Sequence, residues 1–447
     1  SGSSFTMNGG TIAGCVADLE HSDAQGGGVY VQNGCEANEN NNFKALGPGV
    51  FTMNNGSIIG CATKSGKGGS VFIQNATRES DYNGRFIMNG GSISDSGVSD
   101  GSACSTIYNL GTFIANGGTV TNSSTGQYAL YNWSILQTDS GKSGTVFDGA
   151  ILTGTSNGSD IGGGVFNGTV TNYDTTISGG TFNSTVTNDC GTISGGTFAS
   201  TGSVTNKSGT IEGSGKITGG TFNGPVTNER SPNGTIGAAM KDTISGGVFN
   251  GTVTNYDTIT GGTFNGAVTN NGTITGGTFG PGSGIYTVTF DANGGTPTAN
   301  QYVPTGSTLS APAAPTKTGY EFDGWYADAA LTSKWDFTQA VTASVTLYAG
   351  WVEPYGISIA GTPVTSANCG DVLGDGTVAF SYDKAAKKGT LTLRNANLTG
   401  RAISSINYAY PINADDIETL EIVLVGKNKL FAEESNCIIA NDLIFSG

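Results

Sequence analysis

The residues able to do chemistry are few and scattered. His21, in LEHSD, is the only histidine. A Ser-His-Asp or Cys-His triad would have to be assembled around it, and its neighbours suit a surface turn better. GSGKITGG at 213–220 resembles a phosphate loop only superficially. That loop needs a glycine five residues before the glycine of its Gly-Lys and Ser or Thr after the Lys, but Thr210 and Ile217 stand there. Polysaccharide-cleaving β-helices use clustered Asp side chains, or carboxylates that hold Ca²⁺ beside a basic residue. Residues 161–279 carry chiefly Asp174, Asp189, Glu212, Glu229, Asp242 and Asp257, and Asp174 and Asp257 close copies of one phrase, TNYD. Such repetition marks a corner more readily than an acid/base pair. A second acidic group lies in two unrepeated segments: Glu36, Asn38, Glu39 and Asn40, then Glu79, Asp81 and Tyr82. These could form a cation or sugar site, or simply solvated loop charge.

The seven cysteines include no C-x-x-C pair, so no zinc site is indicated. Cys15 and Cys61 end two copies of one phrase, FTMNGGTIAGC and FTMNNGSIIGC. In stacked coils they would stand about 4.8 Å apart, within disulfide reach. A bridge and a pair of reduced core thiols both remain open. No residue pattern implies a cofactor.

These groups need elements to position them, and composition restricts which. Gly is 74 of 447 residues, more than twice the usual share of ~7%, without the every-third period of collagen. Charged residues are 12%, so most of the surface is neutral and polar. The net charge of −15 opposes nucleic-acid and anionic-membrane partners, which need clustered Lys and Arg. No apolar run reaches the ~18 residues of a membrane helix, so no membrane insertion is expected. The sequence begins inside one repeat phrase and stops inside another, as expected of a portion of a longer chain.

From 151 to 280 an aromatic follows a glycine pair at Phe166, Phe182, Phe198, Phe222, Phe249, Phe264 and Phe279. Five residues before each stands an Ile, and four residues after most stands a Val, namely 170, 186, 226, 253 and 268. Gly, Thr, Asn and Val at this spacing exclude a helix and predict strands of two or three residues separated by corners. Fifteen residues at about 3.3 Å make a three-sided coil roughly 16 Å a side, filled by one large side chain per side. Asn172, Asn188, Asn206, Asn228, Asn255 and Asn270 all follow Thr at one corner. They are expected to form an internal ladder; an exposed ligand-binding row is the alternative. Residues 1–150 repeat longer phrases: GGGVYVQN, GGSVFIQN, STIYN and YALYN, alternating with FTMNGG, FTMNNG, FIMNGG and FIANGG. The extra residues at 34–50 and 76–85 would stack on one edge, where solenoids carry recognition.

These phrases resemble the Gly- and Asn-rich right-handed parallel β-helix repeats of bacterial surface proteins, over roughly residues 1–280. Handedness is implied by the resemblance, since the spacing does not set it. After GPGSG at 280–284, the run from Tyr286 to Trp351 contains VTFDANGG, then PTKTGYEFDGWY, then WDF and LYAGW. In order and spacing it resembles the Listeria-Bacteroides repeat, the internalin B-repeat type, which implies a β-grasp module (286–352) serving as spacer or adhesive unit. Alternation in YTVTF and VTLYAGW independently reads as strands around an aromatic core of Trp325, Tyr326, Trp335, Phe337 and Trp351. From 356 to 447 strands, a KKG turn and the alternating TLEIVLVG suggest a β-rich cap opening a second β-helix.

The expected fold class is therefore all-β: a parallel β-helix solenoid of about a dozen coils, a small β-grasp-like module, and a further β-rich domain. The function expected is a non-enzymatic adhesin or stalk segment, extracellular, on a bacterial surface or secreted, with a host or environmental glycan or surface protein as partner. The rival is a carbohydrate-binding or carbohydrate-active β-helix using Tyr82, Tyr173 and Tyr256. A remoter one is ice binding through T-x-T rows such as 169–171, which SVT, PVT and AVT in other coils interrupt.

Overall fold

The computed structural model describes residues 2–17, 25–33, 35–37, 43–45, 47–63, 67–75, 83–94, 97–98, 105–123, 127–138, 144–154, 160–209, 213–230, 241–400, 402–404, 407–408, 412–414, 417–432, 438–440 and 442–446. All regular structure among them is strand, and the chain divides into two compact units, Ser1–Ile285 and Tyr286–Gly447.

In the first unit three parallel stacks of twelve, twelve and eleven strands run side by side, so the chain winds as a parallel β-helix of twelve coils. At about 4.8 Å per coil the stack is roughly 58 Å long. Each stack keeps one inward row in register. The first row runs Met7, Met53, Met88, Ala115, Thr138 and Ile161, then continues as isoleucine to Ile274. A second starts as Ile12, Ile58, Ile93, Val120 and becomes phenylalanine from Phe147 to Phe279. Its rings stack face to face with centroids 4.6–5.2 Å apart. The third runs Val29, Val71, Ile107, Leu130, Ile151, Val170 and on to Val268. The rows pass without a break from the long phrases into the short ones. A three-stranded edge, Val16–Ala17, Ala62–Thr63 and Gly97–Val98, adds a further side to the first coils.

The glycine pair before each phenylalanine has two separate causes. The second glycine of the pair lies at positive φ, for example 102° at Gly220, a region closed to most L side chains. The first is packed against the coil beneath: a Cβ on Gly219 would lie 2.1 Å from the Ser194 carbonyl oxygen.

In the second unit Ile285–Asp291, Gln301–Pro304, Glu321–Tyr326 and Val345–Val352 form one mixed sheet. Its first and last strands are central and parallel, and Glu321–Tyr326 pairs antiparallel to the last. No helix occurs among these described residues. Trp325, Phe290, Val288 and Leu347 form its core, with Trp335, Phe337 and Trp351 packed against it. Beyond it, Val378–Asp383 and Lys388–Arg394 make a hairpin turning at Lys387, whose φ is 49°. Lys388–Arg394, Thr419–Val425 and Leu443–Ser446 then stack in parallel, as do Asn397–Gly400 with Lys429–Ala432 and Ile412–Ala414 with Ile438–Ala440. These pairings are those of successive β-helix coils.

Candidate functional site

The asparagine corner is an internal ladder. Asn172, Asn188, Asn206, Asn228 and Asn255 are fully buried. Each amide donates one hydrogen to the next copy's Oδ1, at 2.7, 2.8, 2.8, 2.8 and 2.7 Å from Asn172 through to Asn270. The other hydrogen goes to a turn carbonyl, that of Thr175, Gly191, Gly215, Asp242 or Asp257. With both hydrogens bonded and the side chains sealed, a ligand-binding row is excluded there. The ladder also extends beyond the copies expected: Asn109 donates to Asn132 at 2.5 Å, and Thr153 stands in for an asparagine, its Oγ1 donating to Asn172 Oδ1 at 3.2 Å. Shorter exposed ladders join Asn8, Asn54, Asn89 and Asn116, and Asn223, Asn250 and Asn265. The recurring MNGG and FNG phrases carried that signal.

Among the described residues the carboxylates of the array do not converge, and Glu212 lies outside those residues. Asp242 is buried and accepts from Ser208 N, Ser208 Oγ and Gly215 N. Burial pushes its carboxyl above the ordinary range, against the pull of those donors. Asp257 accepts from the Asp242 backbone, and Asp189 pairs with Lys207 at 3.3 Å. Asp174 takes a positive φ of 53° at its corner. These are corner-satisfying roles. No group of three or more His, Cys, Asp or Glu able to hold a metal occurs among the described residues.

Of the loop candidates, Glu36 lies in strand Cys35–Ala37, paired antiparallel with Phe43–Ala45. Asn38, Glu39, Asn40, Glu79, Asp81, Tyr82 and His21 lie outside the described residues. Cys15 and Cys61 are free thiols in adjacent coils; burial raises the Cys61 thiol, with Cys15 beside it.

The Thr of T-x-T aligns better than its sequence suggests. Thr171, Thr187, Thr205, Thr227, Thr254 and Thr269 form an unbroken row. Threonines also dominate the outward positions of the other two stacks, as in Thr176, Thr192 and Thr243 or Thr181, Thr197 and Thr221. No one face is distinguished by them, so the row reads as strand-favouring polar surface.

In the earlier coils that same outward row is aromatic: Tyr30, Phe72, Tyr108 and Tyr131, then Leu152 before Thr171. The first four rings stack at 5.3, 5.7 and 4.6 Å. Burial, with Tyr131 alongside, pushes the Tyr108 phenol up to about 12. Two residues beyond Tyr131, Trp133 touches Tyr131 and Tyr173 at centroid distances of 6.0 and 6.2 Å. Sequence reasoning named Tyr173 and passed over Trp133, whose signal was a lone Trp facing a glycine in the next copy. Tyr256 is 44% exposed, and the intervening coils put Asp189, Lys207 and Glu229 between it and Tyr173. The second unit holds a groove of about 780 Å³ between Glu321, Glu353, Tyr355 and Tyr382, with Lys384 paired to Glu353.

Residues 286–350 match the Listeria-Bacteroides repeat domain. A putative Gly-rich membrane protein of Evansella cellulosilytica is 43% identical over 75 residues, 16% of this chain and 9% of that protein. Another putative membrane protein of that bacterium is 38% identical over 100 residues, 22% of this chain and 14% of its own. Internalin H of Listeria monocytogenes is 46% identical over 66 residues, 14% of this chain and 12% of that protein. The chain thus matches only about a tenth of each curated relative's length. No helix among the described residues is long and apolar enough to cross a membrane.

Proposed function

We propose that this chain is a non-enzymatic segment of an extracellular bacterial surface or secreted protein, an adhesin or stalk. Its solenoid would act as a stiff spacer and its partner would be a glycan or surface protein. The observation that carries the reading is the Listeria-Bacteroides repeat domain at 286–350, in a chain that also shares a 66-residue stretch with Internalin H and whose first unit is a twelve-coil stack. In that stack the buried asparagines are taken up by the ladder, and the described carboxylates Asp242 and Asp257 are spent on corners. Coils that repeat the same groups give stiffness and fixed spacing; catalysis requires one constellation of unlike groups. Incubation of the full chain with a panel of polysaccharides, followed by retention and reducing-end assays, tests this. Retention without new reducing ends is expected, and turnover of any glycan would overturn the non-enzymatic assignment.

A further inference from the structure

Cys15 and Cys61 stand at the same corner of consecutive coils. Ala13 is in register with Ile59 and Val16 with Ala62, so the two cysteines face one another across one coil spacing. The backbone closes that spacing on both sides, with Gly14 N donating to Ile59 O at 3.1 Å and Ala62 N to Cys15 O at 2.8 Å. Stacked like positions lie about 4.8 Å apart, inside the ~4.4–6.8 Å range of bridged Cα atoms. Gly14 and Gly60 precede the cysteines with φ of 64° and 61°, so both side chains start from one left-handed turn.

The two thiols differ in their surroundings. Cys61 is fully buried, and its Sγ reaches the first coil, 3.9 Å from Ile12 O, as well as lying 3.6 Å from Ile59 O in its own. Gly28 leaves room for it, since a Cβ there would lie 3.0 Å from Cys61 Sγ. Cys15 is partly exposed, and Ala13, Gly14 and Val16 around it are open to solvent. Its Sγ donates to Ala13 O at 3.6 Å and lies against the Cys61 thiol. One sulfur is thus reachable from outside, and the other only through its neighbour. The next copy of the phrase carries Ser96 at this place in the sequence, so the pair has no third member.

We propose that Cys15 and Cys61 are the two halves of a redox cross-link that ties the first coil to the second. Its oxidant is a small-molecule disulfide of the glutathione kind. Cys15, having lost its proton to solvent, attacks one sulfur of that disulfide, which forms a mixed disulfide and releases one small thiolate. Cys61, deprotonated in turn, attacks the Cys15 sulfur, and the second small thiolate leaves. Two protein thiols become one disulfide, and the oxidant is reduced to two thiols once each departing thiolate has taken up a proton. In the first coil Ser4–Met7, Thr11–Ala13 and Val29–Val31 are the outermost strands of their stacks, hydrogen-bonded to a coil on one side only. A covalent tie there restrains the coil most able to open. The bridge also encloses the unrepeated segment at 34–50. This chemistry stands whichever partner the chain binds.

In the test, the full chain is reduced, freed of reductant, incubated with oxidised glutathione, and digested without reductant by a protease that cuts after glutamate. Cuts after Glu20, Glu36, Glu39 and Glu79 put Cys15, Cys35 and Cys61 on separate peptides. Mass spectrometry should find 1–20 joined to 40–79, two hydrogens lighter than their sum and separated by reductant. Cys61→Ser should stop at a glutathione adduct on Cys15, whereas Cys15→Ser should leave Cys61 unmodified. Hydrogen exchange should protect peptides within 4–17 at least roughly tenfold more in the oxidised chain than in the reduced one, with no such gain in either variant. Recovery of 1–20 and 40–79 unlinked, or of Cys15 joined to another cysteine or to a second chain, would overturn the proposal. That result is read on wild type, so a variant that fails to fold does not obscure it. A bridge formed without added protection would overturn the tie of the first coil.

Discussion

Replacing Asn228 by Ala should destabilise the solenoid around the ninth coil far more than the same change at Asn270, although both are copies of one ladder position. Asn228 is fully buried, accepts from Asn206 Nδ2 at 2.8 Å, and donates to Asn255 Oδ1 at 2.8 Å and the Asp242 carbonyl at 3.1 Å. Truncation breaks three bonds of about 1 kcal/mol net each and leaves their partners buried without water, so the cost is about 3 kcal/mol and up to ~6 if the orphans stay dry. Asn270 is partly exposed at the end of the ladder, where water can replace the amide. There the cost should be about 1 kcal/mol. Asn228→Thr should fall between, since Thr153 already occupies this position natively and bonds to Asn172. Hydrogen exchange read by mass spectrometry on peptides covering 216–228 and 243–255 reports local opening free energies, which suit a molecule with two units better than one global melt. Equal protection loss for Asn228→Ala and Asn270→Ala would show that the ladder is a consequence of coil stacking and contributes little to it.

Phe222→Ala should cost about 3–5 kcal/mol by the same readout, because its ring stacks between Phe198 and Phe249 at 4.6 and 4.8 Å and the coils cannot collapse independently. Gly219→Ala should lose about 1–3 kcal/mol despite adding a single methyl, whereas Ala at Gly60, which has open space but a φ of 61°, pays only for its backbone conformation. In the second unit, Tyr326 donates to Asp323, which pushes the phenol up to about 12 and, with burial opposing, holds the Asp323 carboxyl below its ordinary range. The folded phenol pKa exceeds the unfolded one, so this contribution is complete below pH ~10 and disappears as pH rises through about 12. Ring NMR titration of Tyr326 should show that midpoint, and Asp323→Asn should lower it; an unchanged midpoint in the variant would exclude the carboxylate as its cause.

The array was readable from sequence where each copy repeats one spacing, because stacking turns a spacing into a shared position. Ile161 to Ile274, Phe166 to Phe279 and Asn172 to Asn270 all fell into register this way. Val204 escaped the Phe-plus-four pattern because its turn, Ala199–Ser203, is two residues longer, yet it takes its place between Val186 and Val226. The longer coils hid their continuity differently: their core positions change type, Ile93 and Val120 giving way to Phe147, so similarity of phrase could not reveal one uninterrupted row. The contact between Trp133 and Tyr173 was the least readable part. It depends on a vertical relation between Trp133, Gly154 and Tyr173, which are separated by 21 and 19 residues in the chain.

A solenoid made of copies cannot mark a site by adding a reactive group to every coil, since the group would then recur along the whole stack. It can mark one by a local lapse in the copying. The outward row beside the ladder is threonine for six coils and aromatic for four, with Leu152 at the change. Two residues after Leu152 stands Gly154, where a Cβ would lie 2.4 Å from Cε3 of Trp133. Repetition supplies the backdrop, and departure from it sets Trp133 against Tyr131 and Tyr173. Where such a chain binds, the departures from the repeat should therefore be tested before the repeat itself.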